Sequence, residues 1–411
     1  MRSVQRTKHR GARATFILVL MSLLCSCVNL VNTKTEVEPP LELLSLDPEI
    51  NRSVPKFNSD VIFRTVVHPD VLGLTTGMAS FIPLDAKQDQ TLRRRVDALI
   101  DALSGEGFYE GTYEPSLSFT ARETFEQKRG NCLSFTSLFV ALAREAGLDA
   151  HFQRVRGMIA YDARNGILEN QQHINVLVRR SPARMYEDDI IVDFNRVRPK
   201  RSITRVISDD AAIALYLNNF GIDHLVNGNL DEAFRYLRAA IELDYKSPAL
   251  WINLGTLYLR LGELENARKA NVYALRLDST NTAALAGLQI VHNRKGEPVK
   301  AKVLALKLRD LRNKNPYYHF ALAQKAYARQ DFRQSQTHLA QSIKLRSDDP
   351  RIFDLNGQVH HQLGNIETAI RSFRIAKTLS IREADTDYYD ALIRDLATSN
   401  RANNSKPIGT R

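Results

Sequence analysis

The sequence predicts an α+β domain followed by an all-α solenoid of repeated helix pairs. In the first part, helical patterns come before strand patterns, which is typical of an α+β domain with an antiparallel sheet. In the second part, a helix-pair pattern repeats every 34 residues from residue 214 onward. The chain has 411 residues with 44% hydrophobic and 25% charged content, so it has ample material for both parts.

The first 27 residues have the order of an export signal. A basic start precedes an apolar run from Phe16 to Leu24, which is too short for a comfortable membrane span. Leu24-Cys25-Ser26-Cys27 resembles the lipoprotein signal box of bacteria, with Cys27 as the acylated residue. We therefore expect a lipid-anchored protein of the bacterial cell envelope that faces the periplasm. Simple secretion and an uncleaved N-terminal anchor are the alternatives.

Cysteine usage then leaves a single thiol. The chain has 3 cysteines, at positions 25, 27 and 132. Cleavage removes the first and acylation consumes the second, so Cys132 has no disulfide partner. A lone cysteine in an exported protein is a candidate reactive thiol.

The start of the helix at Cys132 is the centre of the first part. Apolar residues at three- and four-residue spacing predict an amphipathic helix that begins there and ends near Gly147. Free N–H groups and partial positive charge at a helix start favour a thiolate and can hold an oxyanion. His173 and Asp193 lie in two later runs that read as buried strands. A nucleophilic thiol needs a base, usually histidine, and a carboxylate that orients it.

Helical elements precede that centre. Residues 28–58 read as a linker, and residues 59–207 as the folded domain. Inside the domain we expect a helix that ends near Gly105 and an extended loop over residues 108–118. A capping box that starts at Thr120 then opens a short helix.

Strand patterns follow the central helix. Residues 151–160 read as the first strand, and the runs around His173 and Asp193 as the next two. The polar run from Asp162 to Gln171 is expected to be a turn.

The repeats begin where the sheet ends. Five ungapped segments of 34 residues align, at 214–247, 248–281, 282–315, 316–349 and 350–383. The second is the clearest, with Trp251, Leu254, Gly255, Tyr258, Ala267 and Ala274 at positions 4, 7, 8, 11, 20 and 27. This is the tetratricopeptide signature, in which small residues let the two helices of a unit approach and large ones fill the space between units. We assign residues 208–398 to the repeats and a C-terminal capping helix, and residues 399–411 to a disordered tail.

The inner groove of such a solenoid is expected to be a protein- or peptide-binding surface. Helix positions 2, 5, 9, 12 and 13 line it, and here they include Asn218, Arg260, Arg294, Gln324, Tyr327, Asp354, Gln358 and His361. A polar and aromatic mixture suits peptide recognition, and an ordinary wet surface is the alternative. The net charge of +11 is partly due to the basic leader, so we expect no nucleic-acid partner.

Over roughly residues 60–200 the sequence resembles the transglutaminase-like superfamily. The resemblance is carried by Arg129-Gly130-Asn131-Cys132 and the helical run that follows. It implies a papain-like fold with a catalytic triad, in which Cys132 is the nucleophile, His173 the base and Asp193 the orienting carboxylate. The whole arrangement looks like a group of bacterial lipoproteins.

This chain departs from that family pattern at two positions. Leu133 and Asn175 stand where many family members have tryptophan, and the only tryptophan of the chain, Trp251, is in the repeats. We expect these two departures to affect the type of substrate more than the presence of the triad. Gln127, five residues before the cysteine, is either an oxyanion-hole residue or a solvated helix residue.

Two function classes follow. The first is an envelope-anchored thiol-dependent protease, amidase or transglutaminase that acts on protein or peptide amides, with repeats that bind partners. The second is a non-enzymatic adaptor or scaffold with an inactive transglutaminase-like domain. Each of the three site residues also has a structural alternative. Cys132 could be a buried structural cysteine, His173 a core histidine, and Asp193 the partner of an arginine in a salt bridge. We expect no cofactor and no metal, because paired ligand spacings such as C-x-x-C are missing.

Overall fold

The computed structural model describes residues 38–44, 69–88, 91–108, 113–114, 117–164, 167–182, 186–194, 203–380 and 383–404. The export signal with Cys27, most of the expected linker and residues 59–68 lie outside this part of the chain. In the described part, no helix is both long and apolar enough to cross a membrane.

Among the described residues, five α-helices precede the sheet. They are α1 (Thr76–Phe81), α2 (Leu84–Gln88), α3 (Leu92–Gly105), α4 (Ala121–Gln127) and α5 (Cys132–Glu145). The capping box at the start of α4 is present: the Thr120 hydroxyl accepts from the Glu123 N–H, and the Glu123 carboxylate accepts from the Thr120 N–H. Gly147 has φ of +77° just beyond α5, the left-handed conformation expected at the end of this helix.

Helix α5 is central rather than amphipathic. Every residue from Leu133 to Ala143 is buried, including three hydroxyl side chains. One of these, Thr136, donates to the carbonyl of Ile174 at 3.4 Å, which ties the helix to the sheet. The expected polar face does not exist because other elements cover the helix on every side, and its small hydroxyl residues fit inside a core.

The sheet is antiparallel throughout, with strand order β3-β2-β1-β4. Its strands are β1 (Asp149–Arg164), β2 (Ile167–Arg179), β3 (Ile190–Val192) and β4 (Ile203–Val206). Helix α5 packs against β1 and β2. The order of helices first and antiparallel sheet second confirms the α+β prediction for this part.

The expected turn from Asp162 to Gln171 is wrong over most of its length. Strands β1 and β2 stay paired through Ala160 with Gln171 and as far as Arg164 with Ile167. Polar residues can continue such a two-stranded ribbon because the backbone ladder is satisfied whatever the side chains are. Polarity alone therefore placed the turn too early and made it too long.

Over the described residues 203–380 and 383–404, the solenoid has ten helices and a terminal one. They are α6 (Asp209–Val226), α7 (Leu230–Leu243), α8 (Pro248–Leu261), α9 (Leu264–Leu277), α10 (Thr282–Arg294), α11 (Pro298–Asn313), α12 (Pro316–Ala328), α13 (Phe332–Leu345), α14 (Pro350–Gln362), α15 (Ile366–Leu379) and α16 (Glu383–Asn404). The last four repeats of the alignment each begin at the first residue of a helix. The all-α solenoid prediction is confirmed.

Close helix approach depends on small residues at repeat position 8. A Cβ added at Gly357 would lie 2.5 Å from the Phe373 ring, and one at Gly221 would lie 2.9 Å from Leu237. Each pair joins the two helices of one repeat. This is the packing role expected of small residues at that position.

Two segments differ from the predicted domain layout. In the expected linker, a 3₁₀ helix over Leu41–Leu44 buries Leu43 and Leu44 in the core of the first three repeats. The Tyr258 hydroxyl donates to the Leu43 carbonyl at 2.5 Å. This segment therefore belongs to the solenoid rather than spanning free between two parts. At the other end, α16 continues to Asn404, inside the expected disordered tail.

Candidate functional site

Cys132 is the first residue of α5, as predicted. Asn131 caps this helix, since its side-chain oxygen accepts from the Ser134 N–H at 3.1 Å. Gly130 has φ of +148°, and a Cβ there would lie 2.5 Å from that of Ser134. Only glycine fits this position, because any side chain would be strained and would collide with the helix. The thiol is free and partly accessible.

His173 and Asp193 come together beside this thiol. The His173 Nε2 atom lies 2.8 Å from the Asp193 Oδ1 atom, and the two side chains are only 5% and 7% exposed. The imidazole is also hydrogen-bonded to the Cys132 side chain. Because Nε2 faces the carboxylate, Nδ1 is the ring nitrogen left for the sulfur. The structure thus brings together the three predicted residues, which are 41 and 20 positions apart in sequence.

The environment of His173 favours its charged form. Burial by itself would lower the pKa, but hydrogen bonds and charge interactions with Asp193 and Cys132 outweigh it and raise the pKa of His173 to about 9. An imidazolium at neutral pH is the natural partner of a cysteine thiolate. The site therefore places a charged imidazole between the Cys132 thiol and the Asp193 carboxylate.

Asn175 is a further residue of this site. Its side-chain nitrogen donates to the second Asp193 oxygen, Oδ2, at 3.1 Å. The residue is fully buried, and its own side-chain oxygen has no hydrogen-bond partner. Sequence reasoning recorded Asn175 only as a departure from the family pattern. The available signal was its position two residues after His173, which places both side chains on one face of a strand.

Tyr113 is the second residue that sequence reasoning missed. Its backbone forms a parallel bridge with Gly130, and the next N–H, that of Glu114, donates to the Gly130 carbonyl at 3.0 Å. The Tyr113 phenol lies close enough to Cys132 for that residue to affect its pKa. Burial and the nearby Cys132 raise the pKa of Tyr113. The sequence holds no local signal for this contact, since the residue lies in a loop 19 positions before the cysteine.

Gln127 has no place in this cluster. Its side chain is exposed, and its oxygen accepts from the Arg129 Nε atom at 3.2 Å. Of the two alternatives that the sequence left open, the structure therefore agrees with a solvated helix residue and not with an oxyanion-hole residue. Among the described residues, no group of three or more His, Cys, Asp and Glu side chains could hold a metal ion.

Helix α6 connects the site to the solenoid. The Ser118 hydroxyl accepts from the Asn131 cap at 2.8 Å and from Asn219 of α6 at 2.7 Å. Arg144 of α5 makes two hydrogen bonds to Asp209 at the start of α6, at 2.6 and 2.9 Å. The Ser118 hydroxyl therefore links Asn131, which caps α5, to the first repeat.

Several predicted groove residues hold the solenoid together. Arg260 donates to the Leu225 carbonyl, and Arg294 donates to the Leu259 carbonyl at 2.6 Å, so each arginine ties its repeat to the one before. Asn218 is buried and accepts from Asn253. Gln324 and His361 are exposed, while Tyr327 is half-buried against Phe332.

Asp354 and Gln358 form a pair near the end of the solenoid. Gln358 donates to Asp354 at 2.9 Å, and the capping-helix residue Tyr389 is a second hydrogen-bond partner of that carboxyl. Burial is the main cause that raises the pKa of Asp354 to about 6, against the opposing effect of these two hydrogen bonds. The carboxyl is thus a partly buried junction group rather than an open groove residue.

Two families match the chain. The family described as the transglutaminase-like superfamily matches residues 83–173, and the tetratricopeptide repeat matches residues 218–282 and 320–386. The first match includes Cys132 and ends at His173. The stretch between the two repeat matches is where α10 and α11 stand, with the same helix-pair architecture as their neighbours.

Individual known proteins resemble parts of the chain. A mouse protein, BBSome complex member BBS4, is 34% identical over 85 residues, which are 21% of this chain and 16% of that protein. The chain thus spans about a sixth of that relative. MamA of Desulfovibrio magneticus is 16% identical over 42% of this chain and 96% of its own, with a TM-score of 0.24. YrrB, a TPR protein with an unusual peptide-binding site, is 16% identical over 43% and 92%, with a TM-score of 0.23.

Proposed function

Because the chain contains a transglutaminase-like domain followed by tetratricopeptide repeats, we propose that it is a thiol-dependent acyl-transfer enzyme that acts on amide bonds of proteins or peptides. The observation that carries the proposal is the placement of His173 between the Cys132 thiol and the Asp193 carboxylate. A structural cysteine in a core needs neither a buried imidazole nor a buried carboxylate behind it, since burying such groups is costly.

The chemistry follows from the positions of these groups. The Cys132 sulfur attacks the carbonyl carbon of an amide, and the C=O electrons move to oxygen, where free N–H groups at the start of α5 stabilise them. His173 gives its proton to the leaving amine as the C–N bond breaks, which leaves a thioester on Cys132. Neutral His173 then takes a proton from the incoming water or amine. Water gives a protease or amidase, and an amine gives a transglutaminase.

The repeats support recognition of protein partners, as tetratricopeptide solenoids commonly expose a groove for peptides. In our proposal they present a protein substrate to the thiol, or hold the enzyme at a partner. The exposed residues Gln324 and His361 are available for this, whereas the exposed arginines Arg260 and Arg294 each donate to a carbonyl of the preceding repeat. A lipid on Cys27 would place the protein at the bacterial envelope, facing the periplasm.

Alkylation kinetics test the proposal without a known substrate. Iodoacetamide at pH 7.5 is expected to modify Cys132, measured by peptide mass spectrometry, with a rate that falls about 100-fold in His173→Ala. The matched control is His361→Ala, an exposed histidine of the solenoid, which should leave the rate unchanged. Equal rates in wild type and His173→Ala, with both proteins folded, would refute the activation of the thiol.

The adaptor alternative is separated by a second measurement. An enzyme should form a covalent acyl adduct on Cys132 with an activated acyl donor such as p-nitrophenyl acetate. An inactive domain would show no adduct above the level in Cys132→Ala. In that case, binding of proteins by the repeats would be the function that remains.

A further inference from the structure

Helix α11 has an apolar stripe on the side away from the core. Val299, Val303 and Leu306 are 76%, 38% and 48% exposed. Their spacing of four and then three residues places them on one face of the helix. The face toward the core is a different one, because the buried residues of this helix are Ala301 and Leu308. Packing of the solenoid therefore does not account for the outer stripe.

The equivalent helices of the two preceding repeats lack such a stripe. Neither α7 nor α9 exposes a large apolar side chain, and each buries six residues where α11 buries two. The apolar core of the first three repeats ends on α11 at Leu308, and the next apolar cluster begins with Phe320. Exposed apolar side chains gathered on one face indicate a surface that binds a partner.

Lysine and arginine line both edges of this stripe. Lys302 and Arg309, seven residues apart, lie along one edge, and Lys300 and Lys307 lie along the other. All four are exposed. Lys300 is 3.2 Å from Glu297, whereas the other three have no ion-pair partner within the described residues. Three cations are therefore available to a partner of negative charge.

The one acid of α11, Asp310, continues the line of the stripe toward the end of the helix. Its carboxylate lies 2.8 Å from the Lys314 ammonium group, which compensates its charge. Asp310 therefore does not cancel the positive charge along the two edges.

We propose that this face of α11, the apolar stripe with its basic edges, is a docking surface for membranes that contain anionic phospholipid. The three apolar side chains enter the boundary between headgroups and acyl chains, and the basic side chains reach the lipid phosphates. A nucleic acid suits this face less well, because a phosphate backbone offers aliphatic side chains no apolar contact. The contact requires neither the acyl-transfer reaction nor a lipid on Cys27.

Quenching by brominated lipids tests the contact locally. Leu306→Trp places an indole in the middle of the stripe, while the native Trp251 is fully buried and gives a constant background. The full chain is mixed with vesicles of phosphatidylglycerol and brominated phosphatidylcholine, or of brominated phosphatidylcholine alone. We expect the added indole to lose more than about half of its emission with the anionic vesicles and little with the neutral ones. The control Leu84→Trp, at an exposed position of the transglutaminase-like domain, should show no such loss.

Charge reversal tests the role of the basic edges. In Leu306→Trp, the added changes Lys302→Glu and Lys307→Glu should abolish the quenching, because each basic residue at an anionic surface alters partitioning by about 5-fold. The matched control adds Lys325→Glu and Lys344→Glu, which make the same change in net charge at exposed lysines of the fourth repeat. Thermal melting of every variant checks that it is folded.

Three results would overturn the inference. A loss of emission in Leu306→Trp no larger than in Leu84→Trp would mean that the stripe does not meet the lipid. Quenching that survives Lys302→Glu with Lys307→Glu would mean that the basic edges do not contribute. A response of the added indole to polyglutamate, with none to vesicles, would assign the face to an acidic protein partner.

Discussion

The two parts of the molecule use polar side-chain contacts in opposite ways. In the solenoid, Arg260 and Arg294 each reach a carbonyl 35 positions back, so the same bond recurs from one repeat to the next. In the transglutaminase-like domain, three single side chains from separate elements meet once. Loss of one polar contact in the repeats should therefore lower the free energy of unfolding by a small amount, because each repeat packs mainly on its neighbours. Loss of one contact in the site should instead abolish most of the activity, because the three side chains act together.

The largest effect is expected from the nucleophile. Cys132→Ser should lower acylation by p-nitrophenyl acetate at least about 1000-fold, because a serine hydroxyl is a far weaker nucleophile than a cysteine thiol. Thermal melting should change little, since the replacement is nearly isosteric. The solenoid counterpart, Arg260→Ala, should do the reverse, with unchanged acylation and a loss of about 1 kcal/mol in unfolding free energy. Acylation that survives in Cys132→Ser would place the reaction at another nucleophile.

Asn175→Ala should lower acylation about 10-fold, because a hydrogen bond to a charged carboxylate contributes about 1.5–3 kcal/mol and orients Asp193 behind His173. The measurement is the acylation rate beside the unfolding free energy. The matched variant in the solenoid is Asn253→Ala, which removes the 2.7 Å bond to Asn218. Asn253→Ala should lower the unfolding free energy and leave the acylation rate unchanged. A rate that falls equally in both variants would contradict the division between the two parts.

The stability contributed by His173 should depend on pH above neutrality. Its pKa in the folded state is raised to about 9 from an ordinary value near 6.5. The folded state thus binds the proton more tightly, so this contribution is complete below about pH 6.5 and is lost as pH rises through about 9. Urea unfolding should show a loss on the order of 1–3 kcal/mol across that window, absent in His173→Gln. A flat profile in wild type would contradict it.

Asp354 should give the corresponding dependence in the solenoid, in an acidic window. Its pKa is raised to about 6, so the unfolded state loses its proton first and stability falls as pH rises from about 4 to about 6. Asp354→Asn should therefore raise the unfolding free energy at pH 7 by about 1–2 kcal/mol. Stability curves of the two proteins should converge below about pH 4. Divergence there would point to lost packing instead.

The smallest effect is expected at the N-terminal segment. Tyr258→Phe removes the hydrogen bond to the Leu43 carbonyl and should cost about 1 kcal/mol of unfolding free energy. Protease protection of the 38–44 segment should decrease in parallel, while acylation stays unchanged. Tyr388→Phe, an exposed tyrosine on the capping helix, is the control.

Much of the fold could be predicted from the sequence because its signals are local. The 34-residue register placed the starts of α8, α10, α12 and α14, since each repeat packs mainly on its neighbours. The capping box before α4 and the glycine after α5 also depend on a few adjacent residues. The triad residues could be proposed from family resemblance, whereas their contacts could not.

What the sequence determined by itself is therefore the order of the elements, the helix that begins at Cys132 and the spacing of the repeats. Only the tertiary structure decided that Tyr113 lies near Cys132, that Asn175 donates to Asp193 and that Leu43 enters the core of the repeats. The physical reason is that periodicity and capping act within one or two turns of chain. Contacts between distant segments depend instead on how whole elements pack, and no local pattern records that.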